Sequence, residues 1–505
     1  MTKILSLLNS LIWGAPMLLL ILGVGIWLSF RLHWVQITLF PRALHLFWAH
    51  LAGGTDTSNG RTSYRSLCTA LAATVGTGNL VGVAGAICLG GPGAIFWMWV
   101  CGIIGMATKY AEATLAVRYR IRKPDGYIGG PMYVIQNGLS KKFRPLAWLY
   151  CLLGIAASFG VGNAAQVNAV VTGFNGVLQS FGITPTQPGN WLLGLSLAIV
   201  TGAMLLGGAK RIGAAAEKLV PFAAGLYILF SLGILFLRFD QLPQAITSIF
   251  AGAFHPKAVT GGLLGSAFQA LRTGCSRGVF TNEAGMGTAA IAHAGANVSH
   301  PCEQGLMGVM EVFLDTIVIC TLTALVILVS GIPIPYGTDA GGTLTDSAFC
   351  SVYGPAASFF LAAALLCFAI ATILGWGLYG GRCSEFLFGP KAWKAYALAQ
   401  TAMVLLSSTL DTAAIWQLSE ALNGLMAIPN FITLAALSPE LARLTKEYRK
   451  SAPIRDGGGN YANFHQRKPL RTLSHAKVPS SGGGRQKGRQ EDLSSEHRSA
   501  RSAHP

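Results

Sequence analysis

The run from Ser66 to Gly91 is long and apolar enough to cross a bilayer, yet its centre is built like a loop. Within ALAATVGTGNLVGV, residues 70–83, it holds Thr74, Gly76, Thr77, Gly78 and Asn79. An unpaired peptide group is costly in hydrocarbon, so irregular backbone survives there only where it faces protein, water or a ligand. Two glycines two apart let the chain unwind without steric penalty, and an interrupted span is the best sequence pointer to a transporter's binding site. Its free N–H groups suit a carboxylate and its free carbonyls a cation or ammonium. A phosphate-binding loop is excluded, because no Lys-Ser/Thr pair follows. Close helix packing accounts for Gly82 and Gly85 but not for the threonines or Asn79.

Composition agrees with a membrane chain. Of 505 residues, 52% are hydrophobic and 11% charged, against about 25% charged in soluble domains. Apolar segments run almost continuously from Leu11 to Leu437. We read one membrane unit, residues 1–445, and a polar tail. No cleavage pattern follows the first apolar run, so it stays as a span. The ten cysteines form no CxxC pair and no cysteine–histidine cluster, and are read mostly as packing residues.

Eleven spans are expected, at about 12–30, 66–90, 93–117, 146–176, 190–208, 213–237, 262–290, 304–330, 356–380, 393–410 and 413–437. Alternate loops carry seventeen Lys and Arg residues against three in the others. The positive-inside rule then places the N-terminus outside and the C-terminus in the cytoplasm. The net charge of +17 is thus a topology signal and points to no nucleic-acid partner. Residues 451–505, with SSGGGRQKGRQ at Ser480–Gln490, are too polar to fold and are expected to form a disordered basic cytoplasmic tail. Loop 331–355 is an external cap, a gate or a plain loop.

A second interrupted span, 262–290, contains Arg272, Arg277 and Glu283 among six glycines. Intramembrane ionisable groups default to a functional reading. The midplane break is expected between Gly265 and Gly274, with Phe268 covering a ligand. Asn282 to Gly285 would lie lower, as an inner gate or helix restart, and an Arg–Glu gate is equally compatible. Gln166 is a polar residue in an apolar span and offers both a donor and an acceptor to a zwitterion; an interhelical hydrogen bond is the alternative. Thr372 and Trp376, four apart, share a helix face, as do Glu311 and Asp315. The acids are expected to pair with Arg272 or Arg277, with a proton or cation path as the alternative. His293 and His300 are expected at a cytoplasmic edge.

The stretch TALAATVGTGNLVGVAGAICLGGPGAIFWMWVCGIIGMATKYAEATLAVRYR resembles the signature region of the alanine or glycine:cation symporters, also called sodium:alanine symporters. The resemblance continues through GGAKRIGAAAEKLVPF, RGVFTNEAGMGTAAIAHA, TILGWGLYGGRC and ALNGLMAIPNF, over about residues 10–445. It implies an all-α, leucine-transporter-like fold. An extra first span precedes two inverted five-helix repeats, 66–237 and 262–437, whose first and sixth core helices are discontinuous. It also implies alternating-access import of alanine or glycine with Na⁺ as coupling ion, at a bacterial-type inner membrane and without a cofactor.

By the same resemblance, the amino acid meets Thr74, Gly76, Thr77, Gly78, Asn79, Gln166, Phe268, Thr372 and Trp376. Fold similarity assigns Na⁺ to the carbonyls of Ala72 and Val75 with Thr372. Two positions depart from the family pattern: Gly381, where an acid is frequent, and Glu420, where Asp is common. A proton-coupled carrier is the nearest alternative, since Glu283, Glu311 and Asp315 can carry protons. A channel lacks a repeated ring motif, and a membrane enzyme lacks a catalytic or metal-spaced cluster.

Overall fold

The computed structural model describes residues 12–51, 58–124, 126–255, 267–338, 341–410 and 412–451. The tail, Gly265 and the side chain of Glu420 lie outside what it describes. In its described residues, each of the eleven expected segments falls mainly on helix. In chain order the first are α1 (Ala15–Arg31), α2 (Phe40–Leu51), α3 (Ser58–Thr74), α4 (Val83–Gly90) and α5 (Gly93–Arg118). A two-stranded hairpin follows, with Ile121 opposite Ile128. Then come α6 (Pro131–Gly138), α7 (Arg144–Phe159), α8 (Ala165–Ser180), α9 (Gln187–Leu206), α10 (Gly208–Leu237) and α11 (Leu242–Phe254). The second half has α12 (Ala267–Asn282), α13 (Thr288–His293), α14 (Pro301–Val312), α15 (Thr321–Val329), α16 (Gly341–Tyr353), α17 (Ala357–Phe388), α18 (Ala392–Ser407) and α19 (Thr412–Ser451).

Among the described residues seven helical stretches are long and apolar enough to cross a membrane. The pair Thr62–Thr74 and Gly78–Gly90, bent by 51°, makes an eighth. The other expected spans fall on α1, α12 and α18, helices of 17, 16 and 16 residues. Burial separates the inner helices from the outer ones. The apolar windows of α5 and of Pro301–Val329 are each 61% buried, whereas those of α9 and α10 are 33% and 28% buried. The outer pair offers its remaining surface to lipid, where no hydrophobic force draws helices together and close packing must do so. Small residues make that approach possible: a Cβ added at Gly375 would stand 2.8 Å from Ala73.

Among the described residues three π-helical turns interrupt otherwise regular spans, at Gly78–Gly82, Gly160–Ala164 and Phe313–Cys320. Such turns often mark functional sites. Each contains a buried polar residue of the interior: Asn79, Asn163 and Asp315. Helix α16, inside loop 331–355, lies against the first of these turns, and the Thr345 hydroxyl donates to the Leu80 carbonyl at 3.0 Å. Cys101 of α5 and Cys275 of α12 are disulfide-bonded, with Cα atoms 5.6 Å apart; their separation of 174 residues hid this pair from the packing interpretation.

Candidate functional site

Helix α3 ends because Asn79 takes over its hydrogen bonding. The Asn79 side-chain oxygen accepts the Gly76 N–H at 2.9 Å, and the Asn79 N–H reaches the Gly76 carbonyl at 3.3 Å. In an unbroken helix those two N–H groups would serve the carbonyls of Ala72 and Val75. The usual donors of both carbonyls are thus diverted, and these are the two that the family resemblance assigns to Na⁺.

The far side of the break gathers residues from three other segments. Thr77 donates to Gln166 Oε1 at 3.0 Å, and Gln166 Nε2 donates to the Val161 carbonyl at 3.0 Å. A Cβ added at Gly76 would lie 2.5 Å from Thr372 Oγ1 and 3.6 Å from Gln166 Oε1. Gly76, Thr77, Gln166 and Thr372 therefore converge on one point. The Thr372 hydroxyl is buried there without a hydrogen-bond partner. One turn further, Trp376 is fully buried and fits against the turn at Gly162, where a Cβ would meet it at 2.2 Å.

Asp315 joins this cluster from the π-helical turn after α14. Asn79 Nδ2 donates to Asp315 Oδ1 at 2.7 Å. Thr316 donates to Asp315 Oδ2 at 2.8 Å, and Asn282 Nδ2 donates to Thr316 at 3.1 Å. Asn282 is the last residue of α12, so this chain of hydrogen bonds links the two broken spans. The side chain of Thr74 donates back to Ala70 at 3.3 Å, and Gly78 stands against Thr281 and Phe280 of α12.

The second break is not where the glycines suggested. Helix α12 runs unbroken through Gly274, whose missing side chain lets the Ala94 carbonyl and Trp97 approach. The chain leaves helical geometry at Glu283 (φ 54°), Gly285 (φ 98°) and Gly287 (φ 75°) and restarts at Thr288. Glycine pays no Cβ penalty in that region. Phe268, in the first turn of α12, is 57% exposed, and fourteen residues of helix put it about 21 Å from the break. It does not cover the site. Phe280, which the sequence reading missed, is the buried aromatic next to Gly78.

Glu112 of α5 holds the second break open. One carboxylate oxygen accepts the N–H groups of Gly285 (2.9 Å) and Gly287 (3.1 Å) and the Asn430 amide of α19 (2.6 Å). Tyr150 donates to the Met286 carbonyl at 3.1 Å, and Thr288 donates to Glu283 at 2.5 Å. The expected pairing of Glu311 and Asp315 with Arg272 or Arg277 is replaced. Glu311 faces Lys109 at 3.3 Å and His293 at 2.7 Å, all fully buried, and Asp315 is held by Asn79 and Thr316. Arg272 and Arg277 are partly exposed on α12. His293 is thus fully buried within the protein. Gln304 Nε2 lies 2.7 Å from its Nδ1, and Ser63 donates to Gln304 Oε1 at 2.6 Å; with the Gln304 amide as donor, the Nε2 side of the ring faces Glu311 as an N–H.

Lys109 and Glu112 were legible as ionisable residues inside an apolar span, a signal that carries function by default. Gly381, the departure from the family pattern, packs on Trp393 so closely that a Cβ would stand 2.6 Å from the ring; an acid has no room there.

A sequence model described as "Sodium:alanine symporter family" matches residues 1–458. The chain belongs to this family. It is therefore a multi-pass membrane transporter, not an enzyme, and couples amino-acid movement to Na⁺. The symporter is 42% identical to "Sodium/alanine symporter AgcS" of Methanococcus maripaludis, over 89% of its own length and 97% of that protein. It is 37% identical to "Probable sodium/glutamine symporter GlnT" of Bacillus subtilis, covering 88% and 90%. Among solved structures it is similar to MhsT in complex with L-phenylalanine, with TM-score 0.51, 14% identity, and coverage of 76% of this chain and 97% of that one. That likeness concerns the fold alone, and the all-α, leucine-transporter-like architecture expected of the symporter stands.

Proposed function

We propose that the protein imports a small neutral amino acid, alanine or glycine, together with Na⁺ by alternating access. The carrying observation is the convergence of Gly76, Thr77, Gln166 and the unpartnered Thr372 hydroxyl on the first break. The amino acid's carboxylate turns toward the backbone N–H groups of the break, and its ammonium toward carbonyls and Gln166. The closeness of Thr372 to Gly76 and the buried wall of Trp376 favour an amino acid with a small side chain.

Na⁺ sits against the carbonyls of Ala72 and Val75 with Thr372, and Asp315, bound to Asn79, supplies the nearby negative charge. Cation occupancy stabilises the conformation that accepts the amino acid. Closure follows because the loaded site binds the closed state better than the open one. About 2.3 kcal/mol of driving force accompanies each Na⁺ per 100 mV of membrane potential. The two breaks are counterparts in repeats 66–237 and 262–437. The loop charges support an external N-terminus and a cytoplasmic C-terminus in an inner membrane.

Uptake of radiolabelled alanine into proteoliposomes, with an imposed Na⁺ gradient and a competitor panel of glycine, D-alanine and glutamine, tests this reading. Alanine or glycine should compete, and replacing Na⁺ with choline should abolish uptake. Uptake that persists in choline and follows a pH gradient would favour a proton-coupled carrier, which the buried Glu283, Glu311 and Asp315 also suit.

A further inference from the structure

A cavity of about 590 Å³ opens between the C-terminal ends of α1 and α19, far along the chain from either break. Its ionisable lining residues are Arg31, His33, Arg443, Lys446 and Arg449, all basic, set around apolar Leu32. Arg449 is fixed in place: it donates to the carbonyls of Leu32 and His33 at 3.2 Å each and to Thr38 at 2.6 Å, closing the end of α1. Arg443 is paired with Glu447 at 2.7 Å and Glu440 at 3.6 Å, acids that do not line the cavity. Arg31 lies over the Trp27 ring, 5.7 Å from its centroid.

The neighbouring surface is apolar. Along α1, Leu19, Trp27 and Phe30 are 71%, 39% and 63% exposed. These residues lie on a helix of the membrane unit, so lipid chains are their solvent. Basic groups at the helix end and exposed apolar residues below it present two chemistries in the order in which a phospholipid carries them.

We propose that this cavity binds the phosphate of an anionic phospholipid, whose acyl chains run along the exposed face of α1. Each Lys or Arg near an anionic leaflet contributes about fivefold in affinity, and Arg presents a fork that matches phosphate. The site lies on the side that the loop charges mark as cytoplasmic. It bridges the first and last long helices, and α19 also carries Asn430, which bonds Glu112 and Gly285 at the second break. Lipid at this end therefore steadies the helix that supports the transport site.

The test titrates detergent-purified full-length protein with phosphatidylglycerol, phosphatidylcholine or inorganic phosphate, reading thermal stability and, by native mass spectrometry, retained lipid. Phosphatidylglycerol should protect and co-migrate, while phosphatidylcholine and inorganic phosphate should not. The Arg31→Gln/Lys446→Gln variant should bind phosphatidylglycerol at least about tenfold more weakly. Lys141→Gln/Lys142→Gln, two exposed charges outside the cavity, should bind like wild type. Lys446→Glu alone, at an exposed position, repeats the test should the double variant fail to fold. Wild-type lipid affinity in the cavity variants, equal loss in the control variant, or equal protection by inorganic phosphate would each overturn the proposal.

Discussion

Asn79 and Asp315, 236 residues apart, meet inside the protein through a hydrogen bond of 2.7 Å between Asn79 Nδ2 and Asp315 Oδ1. The other end of the Asn79 amide holds the Gly76 N–H. One side chain thus keeps the first span broken and ties that break to a buried carboxylate. Hydrogen bonds to charged groups contribute about 1.5–3 kcal/mol. Asp315→Asn should therefore raise the Na⁺ concentration for half-maximal uptake by about tenfold or more, with normal surface expression. An unchanged Na⁺ dependence would remove Asp315 from the cation's surroundings.

Gly76 has no room for a side chain, because an added Cβ would overlap the Thr372 hydroxyl at 2.5 Å. Gly76→Ala should abolish uptake and lower the melting temperature, as overpacking costs about 1–3 kcal/mol. Thr372→Ala on that background should recover the melting temperature without recovering uptake, since it removes the clash together with a proposed ligand. Melting curves of the single and double variants decide this.

The residues around the first break were largely legible. Glycines two apart, flanked by threonines and Asn79, have no packing explanation inside an apolar run. The partner of Asn79 was not legible, because nothing local in a sequence reports a contact across 236 residues. The second break was misplaced for a physical reason. Glycine density around Gly274 reflects close helix approach, whereas the real interruption needs residues that accept positive φ. Gly285 and Gly287 repeat the two-residue spacing of Gly76 and Gly78, and that spacing was the better signal.

Glu112 accepts three donors through one oxygen at the second break. Glu112→Ala leaves buried N–H groups unpaired at about 1–3 kcal/mol each and should cost more than half of the protein's thermal margin. Glu112→Gln retains an acceptor oxygen and should keep most of the stability while slowing transport. Equal melting temperatures for the two variants would show that the carboxylate does not hold the break.

Lys109 and Glu311 form a fully buried ion pair, which His293 joins through a hydrogen bond to Glu311. Removing one member of such a pair strands the other and costs about 3–5 kcal/mol. Lys109→Met alone should therefore be more destabilising than Lys109→Met with Glu311→Gln. A double-mutant cycle on melting temperature measures the coupling, and simple additivity would contradict the pairing.

Equilibrium binding of radiolabelled alanine to the purified protein, as a function of Na⁺, tests most directly whether the break from Thr74 to Asn79 is the binding segment. Wild type should bind alanine only as Na⁺ is added, while Asn79→Ala and Gln166→Ala, still monodisperse and membrane-inserted, should lose that binding by at least about tenfold. Wild-type, Na⁺-dependent alanine affinity in both variants would contradict the assignment.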